Sequence, residues 1–521
     1  MDLKESHVNR EFIHQWLIFL VILVIPFYGK SGNNPDGQSK GNKESSAPTK
    51  PNVLIVVADQ LVPMLTGPYG NSIVRTPHMD QLAKEGVTFL SAYSPNPLCA
   101  PARASMLTGK YSSNIGVYDN AALLAADEPT VCHSLYNLGY ETALSGKVHF
   151  VGPDQFHGFS KRMIQSHYPT DFQWVKSREN KVPKQHALNY VGSDIHTGTK
   201  NSNYEFDESA HREAIQFLKS EERITNPFFL MVSYNFPHEP FYPPQKYWDM
   251  YAKIDPEIPD FPEGWEERLS IMDKWLNRHH GADKIDVTDK ESLKTLYRAY
   301  YALITYVDDK LGELMETLKS EGMDENTVVI FTSDHGDMLG NRGMVQKRGF
   351  YEWSARVPLL LKLPGNIGAH QKVKTPVSLI DIVPTIFNYC SVPKDLRFGV
   401  DGQDLLPLIE EEDPSRYVIS ESHSEGVYTT CFMVRRGKYK YNYFHDFGTQ
   451  LFDLESDKGE WNSLSGKPEF LAVETEMRNL IFKNFDPGEI EQDLRESIRN
   501  RMLIQPVLEK QRINWRYLPK N

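Results

Sequence analysis

NVLIVVAD, residues 52 to 59, is an unbroken apolar run that ends on an acid. A half-exposed strand would alternate polar and apolar residues. This one has no polar face, so both of its faces must be covered, as in a parallel sheet layered by helices. A second such run is NTVVIFTSDHGD, residues 326 to 337. Ahead of it, YRAYYALITYVDDKLGELMETLKSEG (297 to 322) sets Ala302, Ile304, Val307, Leu311, Leu314 and Leu318 at helical spacing and stops at a glycine. Helix, buried strand and carboxylate-bearing loop together make an α/β unit. FFLMVSY (228 to 234), which leads into NFPHEP, and VPLLLKLP (357 to 364) read as further strands. The expected class is α/β, with a large, mostly parallel sheet sandwiched by helices. After about residue 386 the style changes, and YVISESHSEGVYTTCFMVRRGKYKYNYF (417 to 444) alternates like antiparallel strands, which predicts a smaller C-terminal antiparallel subdomain.

In an open parallel sheet, functional groups gather beyond the carboxyl ends of the strands. Asp59, His238 and Asp334 all stand at such ends, far apart in sequence but able to share one crevice. The stretches 156–203 and 241–289, rich in Tyr, Trp, His and Pro with weak periodicity, read as long loops that could wall a pocket.

With 521 residues, 40% of them aliphatic, aromatic or sulfur-containing and 24% charged, the chain is globular and can bury a sizeable core. Its net charge of -12 argues against a nucleic-acid partner, whose phosphates call for a positive field. An anionic substrate would need a local basic pocket in an acidic body. The organisation expected is a targeting segment over 1–30, a flexible leader over 31–50, a catalytic domain over 51–385, and a C-terminal subdomain with tail over 386–521. WLIFLVILVIPFY (16 to 28), preceded by Lys4 and Arg10, is short for a bilayer span and suits a signal-peptide core. Acids at Asp2, Glu5 and Glu11 dilute the basic flank, and an uncleaved membrane anchor stays open. The chain is thus expected to be exported, to a periplasm or the extracellular space. Export permits disulfides, yet Cys132, Cys390 and Cys431 form an odd set, and the expectation is buried thiols.

The fourth cysteine stands apart. PLCAPARASMLTGK, residues 97 to 110, places Cys99 between two prolines with Arg103 four residues on, in what reads as loop. Cys99, Pro101 and Arg103, followed by LTG, resemble the signature of the formylglycine-dependent sulfatases. GYETALSGKVHF (139 to 150) is similar to that family's second signature. With VVADQ, NFPHEP, SDHGD and KRGFYEWSARVPLL, the resemblance spans most of the chain from Pro51 to Pro364, closest in style to the choline-sulfatase-like branch of the alkaline phosphatase superfamily. Any one of these residues alone has an ordinary reading as a cap, a turn residue, a surface ion pair or a structural histidine. Their joint order gives them a shared one.

The resemblance implies that a maturation enzyme converts Cys99 to formylglycine, whose hydrate attacks sulfur with one hydroxyl and expels sulfate with the other. It also implies a divalent cation on Asp59, Gln60, Asp334, His335 and the modified Cys99. Hard oxygen donors favour calcium, with magnesium or manganese open because Gln60 and His335 stand where many sulfatases carry another carboxylate and an asparagine. Arg103 would hold the nucleophile, Lys147 and Lys347 would clamp sulfate, His149 would take a proton when sulfate departs, and His238 would act as acid at the ester oxygen. Ala102 replaces the usual serine of the signature; the maturation signal rests on Cys99, Pro101 and Arg103, so conversion is still expected.

The Gln and His pair also marks phosphonate monoester hydrolases, so a phosphorus ester is the chemical rival; a silent binding protein with an unconverted cysteine is a third reading. An exported chain with open aromatic loops suits a sulfated saccharide, such as an algal polysaccharide fragment. Choline sulfate is the alternative, because rings such as Trp174, Trp265 and Trp275 can face either a sugar or a quaternary ammonium. The tail EKQRINWRYLPKN (509 to 521) either closes a site in a homo-oligomer or packs on its own domain.

Overall fold

Strand Asn52–Asp59 forms as expected and is buried along its whole length. The structure is a computed structural model that describes residues 50–175, 198, 201–224 and 226–519. The targeting segment and, Lys50 apart, the leader lie outside the described residues, as does part of the loop stretch 156–203. Strand Asn52–Asp59 pairs in parallel with Phe228–Pro237 on one side and Thr327–Ser333 on the other. The full sheet has eight strands, in the spatial order Gln371–Val373, Val87–Phe89, Leu359–Lys362, Thr327–Ser333, Asn52–Asp59, Phe228–Pro237, Glu141–Gly146 and Lys161–Arg162. Leu359–Lys362 runs antiparallel to both of its neighbours, which makes the sheet mixed at that side.

The sheet divides the core into two layers. Leu54, Val56 and Ala58 pack with Leu303, Ile304, Val307 and Leu311 of the long helix Lys290–Ser320. Val53, Ile55 and Val57 point the other way, onto Met106 and Leu107 of helix Cys99–Thr108 and onto Ile382, Val383 and Ile386 of helix Ile382–Tyr389. Alternation is present in space although both sides are apolar, which is why it is invisible in the sequence.

The C-terminal part contains a four-stranded antiparallel meander, Tyr417–Ser422, Cys431–Arg436, Tyr439–Phe444 and Gly448–Asp453, covered by helices Leu471–Asn484 and Pro487–Gln511. The expected boundary at 385/386 falls inside helix Ile382–Tyr389, while the meander begins only at Tyr417. The tail lies against its own chain: Trp515 meets Phe172 edge-on, and Tyr517 meets Phe156. All four cysteines are buried and free. Among the described residues no helix is long and apolar enough to cross a membrane.

Candidate active site

The carboxyl ends of three neighbouring parallel strands and of one more beside them assemble the site. Asp59 ends the first strand, Asp334 and His335 follow Ser333, His238 follows Pro237, and Lys147 follows Gly146. The last turn is tight. Gly146 has φ +121°, and a Cβ there would lie 1.9 Å from the Ser233 carbonyl oxygen, so only glycine lets Lys147 leave the sheet at this point.

Cys99 departs from its loop expectation, because it is the first residue of helix Cys99–Thr108. Proline is tolerated in a first turn, where N–H groups have no intrahelical partner, so Pro101 does not break the helix. The consequence is electrostatic: the helix N-terminus adds positive potential at the Cys99 side chain.

Ligand atoms of Asp59, Cys99, Asp334 and His335 all lie within 4.8 Å of one another, and all four residues are buried. Cys99 Sγ is 3.2 Å from His335 Nε2, which in turn is 3.7 Å from Oδ1 of both Asp59 and Asp334. Asp59 Oδ1 has no hydrogen-bond partner although it is buried, as expected of an oxygen meant for a cation. Two carboxylates, an imidazole and a fourth group on one centre fit a divalent ion. Gln60 stands beside them with φ +68°. Its N–H donates to Asp334 Oδ1 at 3.1 Å, its Oε1 accepts from Lys347 Nζ at 2.6 Å, and its Nε2 donates to Glu239 and Asp337.

A ring of cations surrounds this centre. The fully buried Arg103 donates from Nε to Asp334 Oδ2 at 2.8 Å and from Nη1 to the Lys147 carbonyl and Ser233 Oγ, both at 2.7 Å. Lys147 pairs with Asp59. Burial alone would depress the Lys147 ammonium, but Asp59 and Cys99 outweigh it and keep it charged. Burial alone would raise the Cys99 thiol, yet Lys147, Lys347 and His335 pull it well below its ordinary value. The same field would favour any anionic nucleophile at that position.

The two histidines differ. His149, with φ +64°, is held below its usual value first of all by burial, and neither ring nitrogen has a hydrogen-bond partner of ordinary geometry. It is a neutral base at neutral pH. Burial, the largest influence, lowers His238, but Glu239, Asp59 and Cys99 together raise it by more, for a net upward shift. Its Nδ1 faces the Glu239 carbonyl at 2.7 Å, and its Nε2 lies 2.7 Å from Lys347 Nζ.

A cavity of about 530 Å³ opens over Cys99, His149, His238 and Lys347. Its further walls are Tyr168, Trp174, His167, Asn120, Gln346 and Arg348. Tyr168 stacks on His149 with ring centres 4.8 Å apart, Trp174 meets both edge-on, and Lys147 Nζ sits 4.1 Å above the Tyr168 ring. All the site residues expected from sequence therefore gather in one place. Of the three tryptophans singled out, only Trp174 lines the cavity; Trp265 packs on Phe261, and Trp275 on Tyr428 and Phe447. Tyr168 falls in the stretch 156–203 expected to wall a pocket and Arg348 in the quoted motif after Lys347, though neither was singled out; Asn120 and Gln346 sit on segments without period, and Gln346 and Arg348 carry positive φ that no sequence signal announces.

Residues 51–392 match the family model described as Sulfatase, and residues 340–485 match one described as N-sulphoglucosamine sulphohydrolase, C-terminal. The choline-sulfatase of Rhizobium meliloti (strain 1021) is 35% identical over 479 residues, covering 88% of this chain and 91% of that protein. The ulvan-active sulfatase of Formosa agariphila is 30% identical over 450 residues, covering 84% and 81%. Among solved structures, the phosphonate monoester hydrolase of Agrobacterium radiobacter has a TM-score of 0.67 at 24% identity, covering 83% of this chain and 95% of that one. BT4656 in complex with its substrate D-glucosamine-2-N,6-O-disulfate has a TM-score of 0.64 at 23% identity, covering 87% and 98%. These two likenesses concern the fold, a mostly parallel sheet of the alkaline phosphatase kind.

Proposed function

Since the chain belongs to the sulfatase family, a hydrolase of sulfate esters, we propose that it is exported by its residues 16–28 and acts on a sulfated saccharide through Cys99 converted to formylglycine. The observation that carries the reading is the buried group Asp59, Cys99, Asp334 and His335 inside a cage of Arg103, Lys147 and Lys347. Nothing about a structural ion pair requires so many buried charges on one centre.

In this reading, Asp59, Asp334 and His335, with Gln60 beside them, hold a divalent cation, calcium by the hardness of the carboxylates. When bound, it supplies Lewis acidity toward sulfate oxygens and the nucleophile. Formylglycine supplies a hydrated carbonyl in place of the thiol. Arg103 fixes the position of that group through its bonds to Asp334 and the Lys147 carbonyl. Lys147 and Lys347 neutralise the sulfate oxygens as negative charge builds. His238 and Lys347 form a hydrogen-bonded pair on the cavity wall from which a proton passes to the departing alkoxide. His149, neutral and without another hydrogen-bond partner, accepts the proton when sulfate is released.

Support for a saccharide comes from the aromatic wall of Tyr168 and Trp174, on which a sugar ring can stack, and from a relative named as an ulvan-active sulfatase. Choline sulfate is the second reading, favoured by the 35% identity to a choline-sulfatase and by the same rings beside Glu239, which suit a quaternary ammonium. The deciding experiment is a panel of glucosamine 6-sulfate, sulfated ulvan oligosaccharides, choline sulfate and an aryl phosphodiester, with the converted enzyme. Preference for a sulfated sugar upholds the proposal. Preference for choline sulfate replaces its substrate, and preference for the diester overturns the sulfatase assignment. N-terminal sequencing of secreted protein tests export; a chain retained in the cytosol contradicts it.

A further inference from the structure

Tyr168 and Trp174 belong to a stretch, residues 163–175, that contains no helix or strand. Segments without ladder hydrogen bonds are held only by what packs on them. Here that includes the last residues of the chain. Arg516 Nε donates to the Ser166 carbonyl at 3.0 Å, the Ser166 N–H donates to the Tyr517 carbonyl at 3.4 Å, and the Tyr517 hydroxyl donates to the Arg162 carbonyl at 2.8 Å. Trp515 closes edge-on onto Phe172, with ring centres 5.5 Å apart, and joins Val151, Leu508 and Val175 in a small apolar cluster. Tyr168 is therefore pinned between two tail contacts, at Ser166 and Phe172, and Trp174 lies just beyond the second.

The C-terminal stretch also reaches a second part of the cavity wall. Arg501, on helix Pro487–Gln511, forks onto Asp119 with Nη1 at 2.6 Å and Nη2 at 2.9 Å, and both side chains are buried. The next residue, Asn120, lines the cavity and accepts the Ala100 N–H at 2.9 Å, one residue from Cys99. A terminus that served only to finish the fold would not need to meet two separate walls of one cavity. Chain ends fray unless tied down, and these ties run to the substrate side.

We propose that the segment from Arg501 to Tyr517 is a positioning element of the cavity: it holds the aromatic wall in place and so sets affinity for the alcohol part of the ester. The proposal rests on the cavity being the substrate site. Its residues touch no reacting atom, so the effect falls on KM and not on kcat.

The test is Trp515→Ala in the full-length converted enzyme, with 4-nitrophenyl sulfate as the probe. The expected result is KM raised about 2- to 30-fold, the range of coupling carried through packed networks, with kcat unchanged. Amide hydrogen exchange should speed up over 162–175 and stay as in the wild type over 52–59. Trp515→Phe, which keeps a ring against Phe172, should restore KM. Unchanged KM overturns the proposal, as does a fall in kcat at constant KM or faster exchange throughout the protein. If Trp515→Ala does not fold, Arg516→Ala removes only the bond to the Ser166 carbonyl and carries the same readouts. A wild-type enzyme that cleaves no sulfate ester strikes the sulfatase reading instead, and the exchange measurement still decides whether the tail holds the wall.

Discussion

Arg103 Nε lies 2.8 Å from Asp334 Oδ2, with both side chains completely shielded from water. The same guanidinium approaches Asp59 Oδ2 at 3.5 Å, so one planar cation serves two buried carboxylates. Breaking a buried pair by removing one partner costs about 3–5 kcal/mol, because the other charge stays behind. Arg103→Met should therefore lower the urea unfolding free energy of metal-free protein by about that amount and abolish turnover. Arg103→Lys should also lose most activity, since a point charge cannot replace the fork. Wild-type kcat in the lysine variant would show that the fork does not position the nucleophile.

Cys99→Ala should reduce turnover by at least about 10³-fold, in line with loss of a covalent nucleophile, and leave a folded protein by circular dichroism. In the wild type, mass spectrometry of the tryptic peptide over residues 85–103 should show a residue lighter than cysteine that resists alkylation. A free thiol there, in protein that cleaves sulfate at full rate, would remove formylglycine from the mechanism.

Protein made without conversion offers a pH test. A thiol with ordinary titration loses thiolate about tenfold per pH unit below its pKa. The cations around Cys99 hold it well below its ordinary value, so its thiolate persists to lower pH than that of an ordinary thiol. Iodoacetamide labelling of Cys99 should therefore slow less between pH 8 and pH 6 than labelling of an ordinary thiol. Burial raises Cys132 and pushes Cys390 up to about 11, so neither should label until the protein unfolds. A steep fall in Cys99 labelling over the same interval would contradict the electrostatic picture.

Chelation should inactivate the enzyme, and added calcium should restore it. The ion binds only the folded arrangement of Asp59, Asp334 and His335, so its removal should also lower Tm. Full activity in protein shown to be metal-free would exclude the cation.

Gly146→Ala should cost at least about 2 kcal/mol, from a strained backbone and a collision with the Ser233 carbonyl. Because Lys147 is the next residue, activity should fall further than stability. Unfolding curves and kcat measured on the same preparation check both.

Much of this was legible in the sequence. Residues 52–59 and 327–333 could be read as buried parallel strands because they lack any polar face, and acids at their ends could then share one crevice. Residues 417–444 alternate, and they hold the first three strands of the meander. Less visible were features set by three-dimensional neighbours. The helix at Cys99 was hidden by Pro101, which punctuates most contexts but not a first turn. The antiparallel direction of Leu359–Lys362 leaves no trace in an apolar run. The aromatic wall falls in the Tyr- and Trp-rich stretch expected to wall a pocket, but which of its rings face the cavity is set by packing that has no period in the sequence.

Cys99 is 2% exposed in the folded chain. On the proposed conversion to formylglycine, an enzyme that rebuilds this side chain would have to act before Asp334 and Lys347, which are translated long afterwards, close around it. Conversion would then compete with folding: a nascent chain offers the cysteine openly only while the second half of the sheet is missing, and whatever hastens collapse would lower the yield of working catalyst.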